Sequence, residues 1–162
     1  MARYKRLFGL AALIVLLLAT FTTGWIVAKT GLGSAMDPTT LPDRERQFAE
    51  RMKDAVLVGS FTRTDREGPA RPDRYDLSSV DKIGEDRWRF NATIGETGRT
   101  APIPVTMLWV GDTPMIMLTG LAIPGMGTFT ARVFFYENLY AGTWQHGSVS
   151  GHIFGRIEKQ KK

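Results

Sequence analysis

The chain has 162 residues, a formal net charge of +5, 43% hydrophobic side chains and no cysteine. That length suits one domain with a real core beside a short extra segment, and the missing cysteines exclude a disulfide framework and any thiolate metal site. The positive charge does not mark a nucleic-acid binder. Three of the 21 Lys and Arg precede residue 7, which leaves eighteen against 16 Asp and Glu, and Lys159, Lys161 and Lys162 at the far C-terminus account for three of those.

Residues 7–27, opening at Leu7 and closing at Val27, form a run of twenty-one without one ionisable side chain. A helix of that length crosses a hydrocarbon core about 30 Å thick. Arg3, Lys5 and Arg6 before the run, against Lys29 alone just after it, place the N-terminus in the cytoplasm, and Tyr4 and Trp25 suit the two headgroup layers. Residues 1–28 are therefore expected to be a cytoplasmic flank and an uncleaved single-pass signal anchor. Their partner is the lipid bilayer, and the rest of the chain is a periplasmic or extracellular domain. A cleaved signal peptide is the competing reading, since it shares the order basic then apolar, although the run exceeds an ordinary signal-peptide core.

Residues 29–40 are small and turn-rich and read as a linker without a fixed angle. One amphipathic helix is predicted over 41–54, with Thr40 as its cap, Asp43 three residues on, Pro42 in the first turn, and Phe48, Met52 and Ala55 as the apolar stripe. From Ala55 the pattern turns to β. Strands are expected over 56–62, 75–82, 87–94 and 103–109, through Met115 and Met117, and over 129–135, 140–145 and 149–157. Residues 63–74, with Pro69 and Pro72 and interleaved Arg, Asp and Glu, read as a solvated loop, an anion or headgroup contact being the alternative. The fold class expected for 41–162 is mainly β: a leading helix, then an antiparallel meander of about eight strands forming a small barrel or strongly curled sheet.

The last hairpin is the most legible part. If Gly147 and Ser148 are a two-residue turn, His146 opposes Val149, Trp144 opposes Gly151, Gly142 opposes Ile153 and Tyr140 opposes Gly155. The rings of Tyr140 and Trp144 then cover glycines, shielding backbone that lacks a side chain. Tyr140, Gly142, Thr143 and Trp144, followed by Gly147, Gly151 and Gly155, resemble the Gly-x-Trp hairpins of calycin-type barrels such as lipocalins and avidins. They also resemble closing hairpins of uncharacterised, membrane-anchored bacterial envelope proteins. The resemblance implies a calycin-like barrel, and through the lipocalins it implies room for a small apolar ligand or lipid. In lipocalins and avidins the Gly-x-Trp lies on the first strand, whereas here it lies on the seventh.

Met107, Met115, Met117 and Met126 are four of the seven methionines. They can pack a core, line an adaptable apolar pocket or, as thioethers, meet a soft metal. Residues 118–127 read as an apolar loop carrying Leu121, Ile123 and Met126, which plugs a barrel end, lines a pocket mouth, or touches membrane or partner. The candidate ligand or partner contacts are thus Met115, Met117, Leu121, Ile123 and Met126. His146 and His152 fall on opposite faces of the hairpin and make a poor ligand pair. No hydrolase elbow, phosphate loop, zinc-protease helix or dinucleotide fingerprint occurs, so no catalytic residue, metal or cofactor is assigned. The function expected is a membrane-tethered, non-enzymatic envelope protein serving as an interaction or structural module. A tethered binder of a small apolar ligand is the alternative, and an enzyme of unknown type stands third.

Overall fold

The computed structural model describes residues 14–20, 22, 33–95, 98–123 and 127–160. Most of the expected anchor lies outside the described residues, and its described part, 14–20 and 22, is helical and exposed. Among the described residues no helix is long and apolar enough to cross a membrane.

Strict alternation of apolar and polar side chains builds the β domain. In β3 (Arg87–Ile94), Trp88, Phe90 and Ala92 are buried while Arg87, Arg89 and Asn91 between them are not. The other strands are β1 (Ala55–Phe61), β2 (Arg71–Lys82), β4 (Arg99–Val110), β5 (Thr113–Ile123), β6 (Gly127–Tyr136), β7 (Leu139–His146) and β8 (Val149–Lys159). Each pairs antiparallel with the next, and β8 returns to β1, so the meander is a closed barrel rather than a curled sheet.

Several strands run longer than the sequence suggested. β2 starts at Arg71 and takes Pro72 and Asp73 into the sheet, opposite Ser60 and Gly59. A proline one residue into a strand forfeits only one donor, so the ladder tolerates it there. The expected loop over 118–127 is largely strand as well. β5 continues to Ile123 through a bulge in which Thr119 and Gly120 oppose Thr130 alone, and Gly127 already belongs to β6. Gly120 takes the left-handed φ of 60° that the bulge requires.

The helix α1 (Asp43–Met52) precedes β1 and lies across one end of the barrel. Thr40 does not cap it. Pro42 holds an extended φ of −52° and ψ of 147° just before the helix, which begins without a side-chain cap. Asp37 instead caps a short 3-10 turn (Pro38–Thr40), its carboxylate accepting from the Thr39 N–H at 2.9 Å. The linker is also not free over its described part. The Met36 N–H donates to Lys82 O at 2.8 Å, and Arg89 Nη1 donates to Gly33 O at 2.9 Å.

Phe48 drives into the barrel from α1, its ring 6.1 Å from Trp88, 5.9 Å from Trp109 and 5.6 Å from Phe135, all near edge-to-face. Beside it Glu45 accepts from Lys82 Nζ at 2.6 Å, with side chains only 8% and 11% exposed. Such a pair ties the helix to β2 in one position, because loss of either partner strands a buried charge. At the other end of α1, Lys159 Nζ donates to Arg51 O at 2.9 Å and Lys53 O at 2.6 Å, satisfying carbonyls that a helix terminus leaves open.

Closure rests on glycine. Gly59 and Gly155 face each other across the β1–β8 seam, so close that a Cβ on Gly155 would run into Val58 O and lie 2.6 Å from Gly59 Cα. The ring of Tyr140 covers both glycines. Trp144 lies over Gly151 and donates its indole N–H to Thr62 O at 3.2 Å. The β7–β8 register is the one a two-residue turn at Gly147 and Ser148 dictates, with Tyr140 opposite Gly155, Gly142 opposite Ile153 and Trp144 opposite Gly151.

Gly155→Ala is expected to destabilise the domain by about 1–3 kcal/mol, since the methyl must displace backbone rather than a yielding side-chain tip. An unchanged urea midpoint would contradict the seam's geometry. Trp144→Ala removes a ring and a hydrogen bond together and should cost about 3 kcal/mol, against less than about 0.5 kcal/mol for a neutral surface change.

Candidate functional site

The two ends of the barrel differ in how completely their interiors are filled. Among the described residues Trp88, Phe135, Met52, Leu77, Met107 and Pro114 are the largest fully buried side chains, Met52 coming from α1 itself and the others from the strands it packs on. Toward the opposite end the inward side chains Tyr75, Ile103, Leu121, Phe129 and Trp144 pack on this core but stay only partly buried. The barrel is therefore dry and plugged at the helix end and wetter at the other, where residues 62–70 and the turn at Gly147 lie.

In the wetter half sits a small polar group that the sequence reading missed. Asp73 shares the inward face with Tyr75 and Leu77, and the Tyr75 hydroxyl donates to Asp73 Oδ2 at 2.7 Å. Burial raises the Asp73 carboxyl above its ordinary value, the two hydrogen bonds from Tyr75 and the Arg74 N–H opposing this only in part. Burial, followed by the nearby Asp73 charge, pushes the Tyr140 phenol up to about 12. Tyr140 is 2% exposed, and among the described residues its hydroxyl has no hydrogen-bond partner. The signal for Asp73 was present: it stands two residues before Tyr75 and four before Leu77, on the same strand face.

The expected contact residues separate. Leu121 and Ile123 follow the β5 bulge and point into the wetter half of the barrel, partly buried, whereas Met126 lies outside the described residues. Met115 and Met117 do share a face, but it is the outer one, because Pro114, Ile116 and Leu118 between and beside them take the inward positions. Core packing for these two methionines is thus corrected, and so is a pocket inside the barrel. Of the described methionines of that group Met107 alone is core. His146 stacks on Phe129 on the inner face at 4.4 Å, and His152 faces outward beside Thr62. Among the described residues no three His, Asp or Glu gather closely enough to hold a metal.

Outside, register aligns one continuous apolar row. Leu108 of β4 pairs with Met115, Met115 with Phe134, Phe134 with Ala141, and Ala141 with Phe154 of β8. Leu108, Phe134 and Phe154 are 39%, 46% and 45% exposed, and Tyr136 and Leu139 extend the patch by one row toward the helix end. Nearer the other end, over β6, β7 and β8, lies a groove of about 240 Å³ edged by Thr64, Thr130, Trp144, Gln145 and His152.

Replacing Tyr140 by Phe keeps the ring over Gly59 and Gly155 and removes a buried hydroxyl that bonds to nothing, so stability at neutral pH should hold or rise. The sign at high pH follows from the raised phenol. Tyr140 favours the folded state fully below its ordinary value of 10.0, and that contribution is lost as the pH climbs toward about 12. The gap between the two urea midpoints should therefore stay constant below pH 10 and shift in favour of Tyr140→Phe above it, the wild type falling faster. Parallel curves would deny that Tyr140 is desolvated. Comparison of the chain with family models, with curated proteins and with solved structures finds no match.

Proposed function

We propose that this protein is a non-enzymatic contact module held at the outer side of the cytoplasmic membrane by residues 7–27. The observation that carries it is the outward apolar row from Leu108 to Phe154. Isolated apolar residues on a surface need no explanation, but a row set side by side across five strands is the composition of a contact face. The tether is supported by the uninterrupted apolar run and by the basic residues before it.

A second reading, a calycin-like binder of a small apolar ligand, draws on the half-filled end of the barrel. Leu121, Phe129 and Trp144 there supply apolar wall, and Tyr140 carries an unused hydroxyl nearby. A lipid that copurifies with the chain and is released by Leu121→Asp would favour this reading over the first.

A reporter fused after Lys162 should be active only outside the cytoplasm. Activity confined to the cytoplasm would overturn the proposed topology, and recovery of the chain with a new N-terminus near residue 29 or 36 would replace the anchor by a cleaved leader.

A further inference from the structure

We infer that the outer apolar row is the contact face for a second copy of this chain, an inference that rests on the membrane-tethered reading above. The place where the chain joins the barrel decides between occupants. Gly33 and Met36 are bonded to Arg89 and Lys82, so the chain arrives on the wall formed by β2 and β3. In a closed ring of eight strands the wall opposite β2 and β3 is β6 and β7, which is the middle of the row.

Eight strands spaced about 4.8 Å apart and tilted about 40° enclose a backbone cylinder roughly 16 Å across, with a half-circumference of roughly 26 Å. From Val27 to Gly33 the chain makes six steps, at most about 20 Å when fully extended. That reach does not carry the row round to the bilayer, nor residues 7–27 round to the row. Seated on its tether, the barrel turns the row away from the lipid and into the layer where other tethered copies sit.

Charge suits a copy. A two-fold contact sets a patch against itself, so any ionisable group within it meets its own kind. Leu108, Met115, Phe134, Ala141 and Phe154 contain none, and of the charged side chains that flank them on the same face Arg132 is turned onto Leu118 O and Thr119 Oγ1 while Arg156 is paired with Glu158. An axis along the membrane normal, passing near β6 and β7, keeps both anchors pointing into the same bilayer. Confinement to that surface raises the effective concentration of the copies further.

The absence of native cysteine makes the test direct, because an introduced thiol is the only one in the chain. Ala141→Cys places it at the centre of the row, and Ser78→Cys places a control on exposed β2, on the opposite wall. Oxidised in membranes, the full chain should cross-link to itself through Cys at 141 and not through Cys at 78. Adding Phe134→Glu, a change at an exposed position that should leave the melting curve in place, should cut the cross-linked fraction roughly tenfold. Light scattering on the full chain in detergent should give the mass of a dimer, and of a monomer for F134E.

Equal cross-linking from both walls, cross-linking that survives F134E, a cross-link to a different protein, or a monomeric mass for the wild type would each overturn the inference. Membrane fractionation of the same samples tests the tether separately. A chain recovered only in the soluble fraction sinks the tethered reading, while its mass still decides whether the row joins two copies.

Discussion

The approach of Gly59 to Gly155 is the constraint on which the rest of the structure depends. Two strands can coil this tightly past each other only where neither carries a Cβ, and the space so opened is filled by the ring of Tyr140 from the neighbouring strand. The seam joins the first strand to the last, so it decides whether the sheet has edges at all. It also places the helix. Only Lys53 and Asp54 separate α1 from β1, Asp54 turns with a left-handed φ of 53°, and the Gln160 N–H bonds to Asp54 O at 3.0 Å. Where β1 is held against β8, α1 has one end of the barrel to cross.

Crossing that end makes the two halves of the interior unlike. Under α1, Phe48 supplies the apolar volume that a barrel of this size needs at its axis, and the Glu45–Lys82 pair fixes the angle at which it enters. Among the described residues no helix does the same at the far end. A carboxylate such as Asp73 is held there by the Tyr75 hydroxyl and the Arg74 N–H, and the cost of its partial burial appears as a raised carboxyl rather than as a neutralising partner. There too Trp144 and Phe129 stay half-covered, held by their own contacts with Phe61 and His146.

Periodicity made much of this legible in the sequence, and the failures have physical causes. Alternation in 88–94 and 129–135, the stripe of Phe48 and Met52, and the ring-over-glycine logic of the last hairpin each rest on local spacing, and the structure follows them. The core reading of Met115 and Met117 failed because alternation says that two residues share a face without saying which face. The decision lies with Pro114, Ile116 and Leu118, which outcompete them for the core. Leu121 and Ile123 return to the inner face only because the bulge at Thr119 and Gly120 inserts an extra residue, a shift invisible to a strict period of two. Asp73 was lost to the charged appearance of residues 63–74, although the strand period already runs through it. The apolar row escaped notice altogether, since it exists only once five strands are in register.

Closure also limits how this domain can meet another protein. An open sheet offers backbone donors and acceptors along its edges and recruits partners by adding a strand; here β1 and β8 have used theirs on each other. Recognition must then run through side chains on the outer wall. That wall is not uniform: its β2 and β3 side is committed to Asp81, Arg89, Asn91 and Ser79, a hydrogen-bonded network whose Arg89 also holds the arriving chain at Gly33. The middle of the apolar row, on β6 and β7, thus lies across the cylinder from the polar network on β2 and β3, so the wall that holds Gly33 and the centre of the apolar face are separated by the barrel itself.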